Sequence, residues 1–147
     1  MDNVNSQIEQ QVTVLLRRVQ RIHISTAHGE MDLERSAYGI MCKIADEGPQ
    51  RLGSFASAFG LDPSTITRQV QALEKASLAE RTTDVADRRA SILDLTAEGH
   101  DVLARTREHR RQKMHDAISD WSDKDREDFA RLMEKFNLSL DKLVHTS

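Results

Sequence analysis

Apolar positions recur along this chain mostly at helical spacing. Ile8, Val12, Leu15, Val19 and Ile22 fall four and three residues apart in turn, a stripe that predicts one long amphipathic helix stopping near Ala27, just ahead of Gly29. After Leu33 a second helix is expected, in which Ala37, Ile40, Met41, Ile44 and Ala45 repeat at helical spacing, and Gly48-Pro49 ends the run. A short helix then repeats Leu52, Phe55, Ala56 and Phe59 and stops at Gly60. Asp62 can cap a new helix with Pro63 in its first turn, where the missing N–H costs nothing. That helix buries Ile66, Val70 and Leu73 and ends near Ala76. Two helices joined by so tight a break read as a helix-turn-helix. Leu78 to Thr83 and Ala90 to Thr96 have strand character and are joined by the charged run Asp84 to Arg89, which predicts a β-hairpin. A further helix starts at Thr96 and carries Leu103, Met114, Ala117 and Ile118. Ser122 and Asp125 resemble a capping box for the last helix, striped by Phe129, Leu132, Met133, Phe136, Leu140 and Leu143. The fold class is therefore mainly α, of α+β type.

At 147 residues the chain fits a single domain, 1–147, with segments 1–30 and 100–147 flanking a central module over 33–99. Both flanking helices are strongly striped, yet the central module is small. A partner surface is implied, and a homodimer through these helices accounts for the stripes better than their mutual burial within one chain. No apolar run approaches the ~20 residues needed to cross a bilayer, so no membrane association is expected. Met1 to Gln11 lacks the basic start and apolar stretch of a secretory signal, which predicts a cytoplasmic protein. Cys42 is the single cysteine and excludes an intrachain disulfide.

The net charge, −3, argues against a polycation that coats nucleic acid, so any such contact must be local. The helix from Pro63 supplies one. Its open sides carry Ser64, Thr65, Thr67, Arg68 and Gln71, and short hydroxyls let a helix approach a major groove, where Arg reads guanine and Gln reads adenine. The hairpin tip supplies another, since Arg88 and Arg89 beside Asp87 can probe a narrow minor groove. Asp87 is expected to hold the tip's shape by pairing Arg81 or Arg89. A third basic run, Arg105, Arg107, Arg110, Arg111 and Lys113, reads first as a solvated face, with DNA steering as a secondary role.

The order of elements, with Asp62-Pro63-Ser64-Thr65-Ile66-Thr67-Arg68, Leu73-Glu74-Lys75, Leu78-Ala79-Glu80-Arg81, Asp87-Arg88-Arg89-Ala90 and Leu95-Thr96-Ala97-Glu98-Gly99, resembles the MarR family of winged-helix transcription regulators. Ser77 departs from the pattern, which commonly has Gly before the first wing strand. The resemblance implies Arg89 in the minor groove, Ser64, Thr65, Thr67 and Arg68 at the major groove, and a homodimer on a pseudo-palindromic double-stranded DNA operator. It also implies a repressor that releases DNA when a small aromatic or phenolic effector enters a crevice beside the dimerisation helices. Arg17, His23, Tyr38, Met41 and Cys42 lie on the two helices expected to face that crevice.

Other chemistry is weakly represented. His23 and His28, and His109 and His115, lack ligand spacing, so no metal and no cofactor is expected. There is neither a phosphate-cradling Gly-rich loop nor a Gly-x-Ser-x-Gly nucleophile motif, so no enzyme is expected. Two alternatives stand beside the ligand-responsive regulator: a redox-responsive one acting through Cys42, and a winged module that binds protein instead of DNA. Cys42 reads as a core residue first, because it sits beside Met41 close to the apolar stripe of the second helix, and its nearest sequence cation, Lys43, points to another face, which ranks redox sensing below ligand sensing.

Overall fold

The computed structural model describes residues 3–145; positions 1, 2, 146 and 147, the outermost ends of the flanking segments, lie outside the described residues. The chain forms two compact units, Met1–Arg107 and Glu108–Ser147. The first contains helix α1 (Asn3–Arg18), strands β1 (Arg21–Thr26) and β2 (Gly29–Glu34), helix α2 (Arg35–Glu47) and the short strand β3 (Gln50–Arg51). It continues with helices α3 (Leu52–Phe59) and α4 (Pro63–Lys75), strands β4 (Ala79–Thr83) and β5 (Ser91–Leu95), and the first half of helix α5 (Ala97–Ala117). The second unit holds the rest of α5 and helix α6 (Asp123–His145). Mainly helical, with small antiparallel sheets, this is the fold class expected.

The first helix is shorter than its stripe predicts. It ends at Arg18, and Arg21 to Glu34 form an antiparallel hairpin, β1 with β2, registering Ile22 with Leu33 and Ile24 with Met31. The physical reason lies in Ile22 and Ile24, which are both buried. Two residues apart, they would point about 200° from each other on a helix but share one face of a strand. The stripe through Ile22 is thus a coincidence of spacing, and the alternation Ile22, Ile24, Thr26 against Arg21, His23, Ser25 is the operative pattern. Burying Ile22, Ile24 and Leu33 contributes ~1.5–3 kcal/mol each, which no exposed helical turn could match. Gly29, at φ 117°, follows the hairpin's tight turn, where Thr26 Oγ1 donates to the Gly29 carbonyl at 2.8 Å. The hairpin is tied to α5 by the Arg105 guanidinium on the Ser25 carbonyl (3.0 Å) and the Ala27 amide on Glu98 Oε1 (2.9 Å).

The remaining helices and the β4–β5 hairpin of this unit fall where the pattern puts them, while β3 has no counterpart in that pattern and Ala45, on the α2 stripe, is exposed. Helix α2 buries Ala37, Ile40, Met41 and Ile44 and ends at Gly48, whose φ of 88° suits glycine. These side chains form one core with Phe55, Ile66, Val70, Leu73, Leu78, Leu93, Leu95, Val102 and Leu103. The second sheet has strand order β3-β5-β4; Arg51 pairs Ile92, and β4 and β5 run from Ala79 opposite Leu95 to Thr83 opposite Ser91.

In the second unit Ser122 caps α6, its Oγ accepting the Asp125 amide at 3.1 Å, as the capping-box pattern predicts. Trp121 meets Phe129 edge to face at 5.4 Å. Phe129, Leu132, Phe136 and Leu140, at 0, 3, 7 and 11 along α6, are exposed on a helical stripe.

Candidate nucleic-acid interface

Gly60 builds the turn of the helix-turn-helix. At φ 61° it closes α3 in the left-handed conformation, its amide donating to the Ala56 carbonyl, and Leu61 N–H bonds the same carbonyl at 3.2 Å. Three residues on, Pro63 opens α4. Asp62 sits at the N-cap with extended backbone, but its carboxylate makes no capping bond, so the expected side-chain cap is absent. Ile66, Val70 and Leu73 face the core, joined by Gln69, a buried polar residue whose amide donates to Glu34 Oε2 at 2.5 Å. With its inner face fixed in this way, α4 presents Ser64, Thr67, Arg68 and Gln71 to solvent on its other sides. Thr67 Oγ1 donates to the Pro63 carbonyl at 2.9 Å, leaving its acceptor lone pairs outward. Thr65 differs: it is half-buried and lines a cavity.

The wing follows. Ser77 links α4 to β4 at φ 61°, which explains in backbone terms why glycine suits this position. At the tip, Asp87 Oδ1 accepts the Arg89 amide at 3.0 Å and meets Arg89 Nε at 3.5 Å, while the Ala90 amide bonds the Asp87 carbonyl at 3.0 Å. Of the two partners expected for Asp87, the structure gives Arg89. Arg81 instead binds Glu74 of α4, through Nε at 3.0 Å and Nη2 at 2.8 Å, tying β4 to the recognition-helix candidate. Arg88 is exposed, and the Arg89 side chain is 94% exposed. A guanidinium so fully hydrated on a fixed backbone contributes little to the fold and is available to a partner.

Sequence reasoning missed the base of the wing. Asp84, 8% exposed, accepts from Arg51 of β3 through Nε at 2.8 Å and from the Ala86 amide at 2.9 Å. The Ala86 amide first, then the Arg51 guanidinium, hold its carboxyl below the usual carboxylate range. The third basic run is largely committed elsewhere. Arg105 bonds Ser25, Arg107 pairs Asp46 at 3.1 Å, and Arg111 pairs Glu108 at 2.8 Å.

An open cavity of about 940 Å³ lies among α1, α2, α3 and α4, with Leu16, Phe59 and Leu61 as apolar lining and Arg17, Arg21 and Arg35 as cations. Of the five crevice residues expected from the sequence, only Arg17 lines it. His23 is on β1, not on a helix, and meets Asp32 (3.2 Å) and Glu30 (3.4 Å) of β2. Met41 is fully buried in the core and Tyr38 packs half-buried against it. Cys42, half-buried, lies against the Arg107 guanidinium, whose charged form is favoured beyond its ordinary range first by Cys42 and then by Asp46. Among the described residues no cluster of His, Cys, Asp and Glu is arranged to hold a metal, and no helix is long and apolar enough to cross a membrane.

Comparison with known proteins is consistent along the chain. The MarR family profile matches residues 33–91, from the end of β2 into β5. The HTH-type transcriptional regulator YxaD of Bacillus subtilis is 32% identical over 130 residues, 88% of this chain and 90% of that protein. The HTH-type transcriptional repressor NicR of Pseudomonas putida is 27% identical over 106 residues, 70% of this chain and 67% of that one. The crystal structure of the transcriptional regulator BldR from Sulfolobus solfataricus matches with a TM-score of 0.67 at 21% identity, over 97% of this chain and 99% of that one, a likeness of fold. With the reading module matched by the profile and a relative aligned almost end to end, the chain belongs to the MarR family of DNA-binding, winged helix-turn-helix transcriptional regulators.

Proposed function

We propose that this regulator is a homodimeric, ligand-responsive repressor of a pseudo-palindromic double-stranded operator, acting by binding and not by catalysis. Helix α4 enters the major groove with Ser64, Thr67, Arg68 and Gln71, and the wing lays Arg88 and Arg89 over the adjacent minor groove. The observation that carries this reading is the Arg89 guanidinium, 94% exposed on a tip whose backbone Asp87 fixes. Dimerisation is supported by the exposed apolar stripe Phe129, Leu132, Phe136, Leu140 on α6, since a row of large apolar side chains in water favours a partner. Two recognition helices in such a dimer would meet half-sites about 34 Å apart.

The cavity is the effector site in this reading, for a small aromatic or phenolic molecule. Phe59, Leu16 and Leu61 suit an aromatic ring, and Thr65 belongs to α4, so an occupant would touch the recognition helix itself. Thr65 is accordingly a link to the effector more than a reader of bases. An effector releases DNA only by preferring the geometry that does not bind DNA, because equal affinity for both shifts nothing.

The test is an anisotropy titration of a labelled duplex from the protein's own upstream region beside a scrambled duplex, at two salt concentrations. Two protomers per site, preference for the first duplex and affinity falling with salt are the expected results. Equal weak binding to both, followed by an empty selection from genomic fragments, would support the protein-interaction alternative. The redox alternative gains one observation, the Arg107 cation against Cys42. Cys42→Ser is expected to leave operator release by peroxide unchanged; release seen only with the wild type would establish that alternative.

A further inference from the structure

We propose that Arg51 and Asp84 form a latch that sets the height of the wing, making both of them positioning residues for Arg89. The inference rests on the reading of the wing as a DNA-contacting element, and it concerns residues outside the contact surface proposed above.

Asp84 joins three parts of the chain, one through its own amide and two through its carboxylate. Asp84 directly follows β4, and its own amide donates to the Ala90 carbonyl at 3.0 Å, closing the neck of the loop. Its Oδ1 accepts the Ala86 amide at 2.9 Å, which turns the chain into the tip. Its Oδ2 accepts Arg51 Nε at 2.8 Å and Nη2 at 2.5 Å. Arg51 comes from β3, immediately ahead of α3, and so belongs to the start of the helix-turn-helix. The latch therefore ties the wing neck to the module that carries α4.

Among the described residues nothing apolar does this job. Between Asp84 and Ala90 no side chain belongs to the core, and Val85 is 98% exposed. The β4–β5 ladder fixes the strands up to the pair Thr83 with Ser91, and beyond it the tip depends on polar contacts at Asp84 and Asp87. Asp87 shapes the tip locally, whereas Asp84 is anchored outside it. Freeing Asp84 should let the tip swing on its neck without unfolding the core. The carboxylate stays ionised at neutral pH, held so by the Ala86 amide and the Arg51 guanidinium, so the latch is closed under the conditions of binding.

The test is a double-mutant cycle on operator affinity, read by anisotropy with the selected operator duplex and with a copy whose wing-contacted A·T pairs are changed to G·C. Arg89→Ala and Asp84→Asn should each weaken operator binding about tenfold, the cost typical of one lost base-pair contact. The double variant should bind no more weakly than Arg89→Ala alone. Asp84→Asn should also lose the difference between the two duplexes while keeping the wild-type melting temperature. Arg51→Gln should behave like Asp84→Asn, which covers the case in which either variant folds poorly. Tighter binding by Asp84→Asn would mark Arg51 as a phosphate contact that Asp84 restrains, and would overturn the latch. An undiminished Asp84→Asn effect in the Arg89→Ala background would also overturn it, because the residue would then act through the fold. Wild-type affinity in Arg89→Ala would instead remove the wing reading on which the latch depends.

Discussion

Gly99 offers a prediction in which two opposing effects can be weighed. It lies in the first turn of α5, where alanine is ordinarily worth about 1 kcal/mol more than glycine. A Cβ built there would sit deep inside the van der Waals radius of the Leu78 carbonyl oxygen and 3.0 Å from its carbonyl carbon. Leu78 cannot retreat: it is fully buried, and its amide is bonded to the Leu73 carbonyl at 2.9 Å. The start of α5 must move instead. That movement strains or breaks the Thr96 amide bond to Leu78 (3.1 Å) and the Thr96 hydroxyl bond to the Ser77 carbonyl (2.7 Å), and shifts Val102 and Leu103 in the core. Two hydrogen bonds at ~1 kcal/mol each, with ~1–3 kcal/mol for overpacking, outweigh the propensity gain and leave a net loss of about 2–4 kcal/mol. For a chain of this size that corresponds to a melting temperature lower by roughly 4–16 °C. Thermal and urea unfolding of Gly99→Ala at one fixed protein concentration would measure it. A variant as stable as the wild type, or more so, would refute the close approach of α5 to Leu78.

Ser77→Gly acts in the opposite sense, because it relieves a left-handed residue at φ 61° and Ser77 contributes no side chain to the core; a gain of about 0.5–1 kcal/mol is expected in urea unfolding. Arg68→Ala should cost ~1–3 kcal/mol of operator affinity and relax base preference at one position, whereas the loss in Arg89→Ala should vary with A·T content, both read by anisotropy on variant duplexes. Leu132→Glu with Phe136→Glu should convert the proposed dimer to a folded monomer in sedimentation, since both side chains are already exposed and their loss opens no cavity; a stable dimer would move the proposed interface away from this stripe.

Several of these residues are legible in the amino-acid sequence. The helix-turn-helix is, since Gly60, Asp62-Pro63 and the spacing of Ile66, Val70 and Leu73 are local signals. So are Arg88 and Arg89, whose position in a short charged turn leaves them nothing to pack against. The expected crevice residues fare differently. Met41 goes into the core and His23 onto a strand, because helical spacing says which side chains share a face and not which neighbour that face meets. Gln69 is hidden for a related reason: on the α4 face that holds Val70 and Ile66, a polar residue is tolerated only because Glu34 receives its amide.

What the chain determined by itself is what depends on a few consecutive residues: caps, turns, helix faces and strand alternation. Tertiary structure decided the rest. Arg21–Thr26 became a strand because its alternation could be used once Leu33 and the α2 core offered a surface to both isoleucines, an energy no window of the sequence contains. Arg51 meets Asp84 across 33 positions, and Gln69 meets Glu34 across 35. A hydrogen bond requires approach to about 3 Å, and only the packed core brings residues so distant along the chain to that separation.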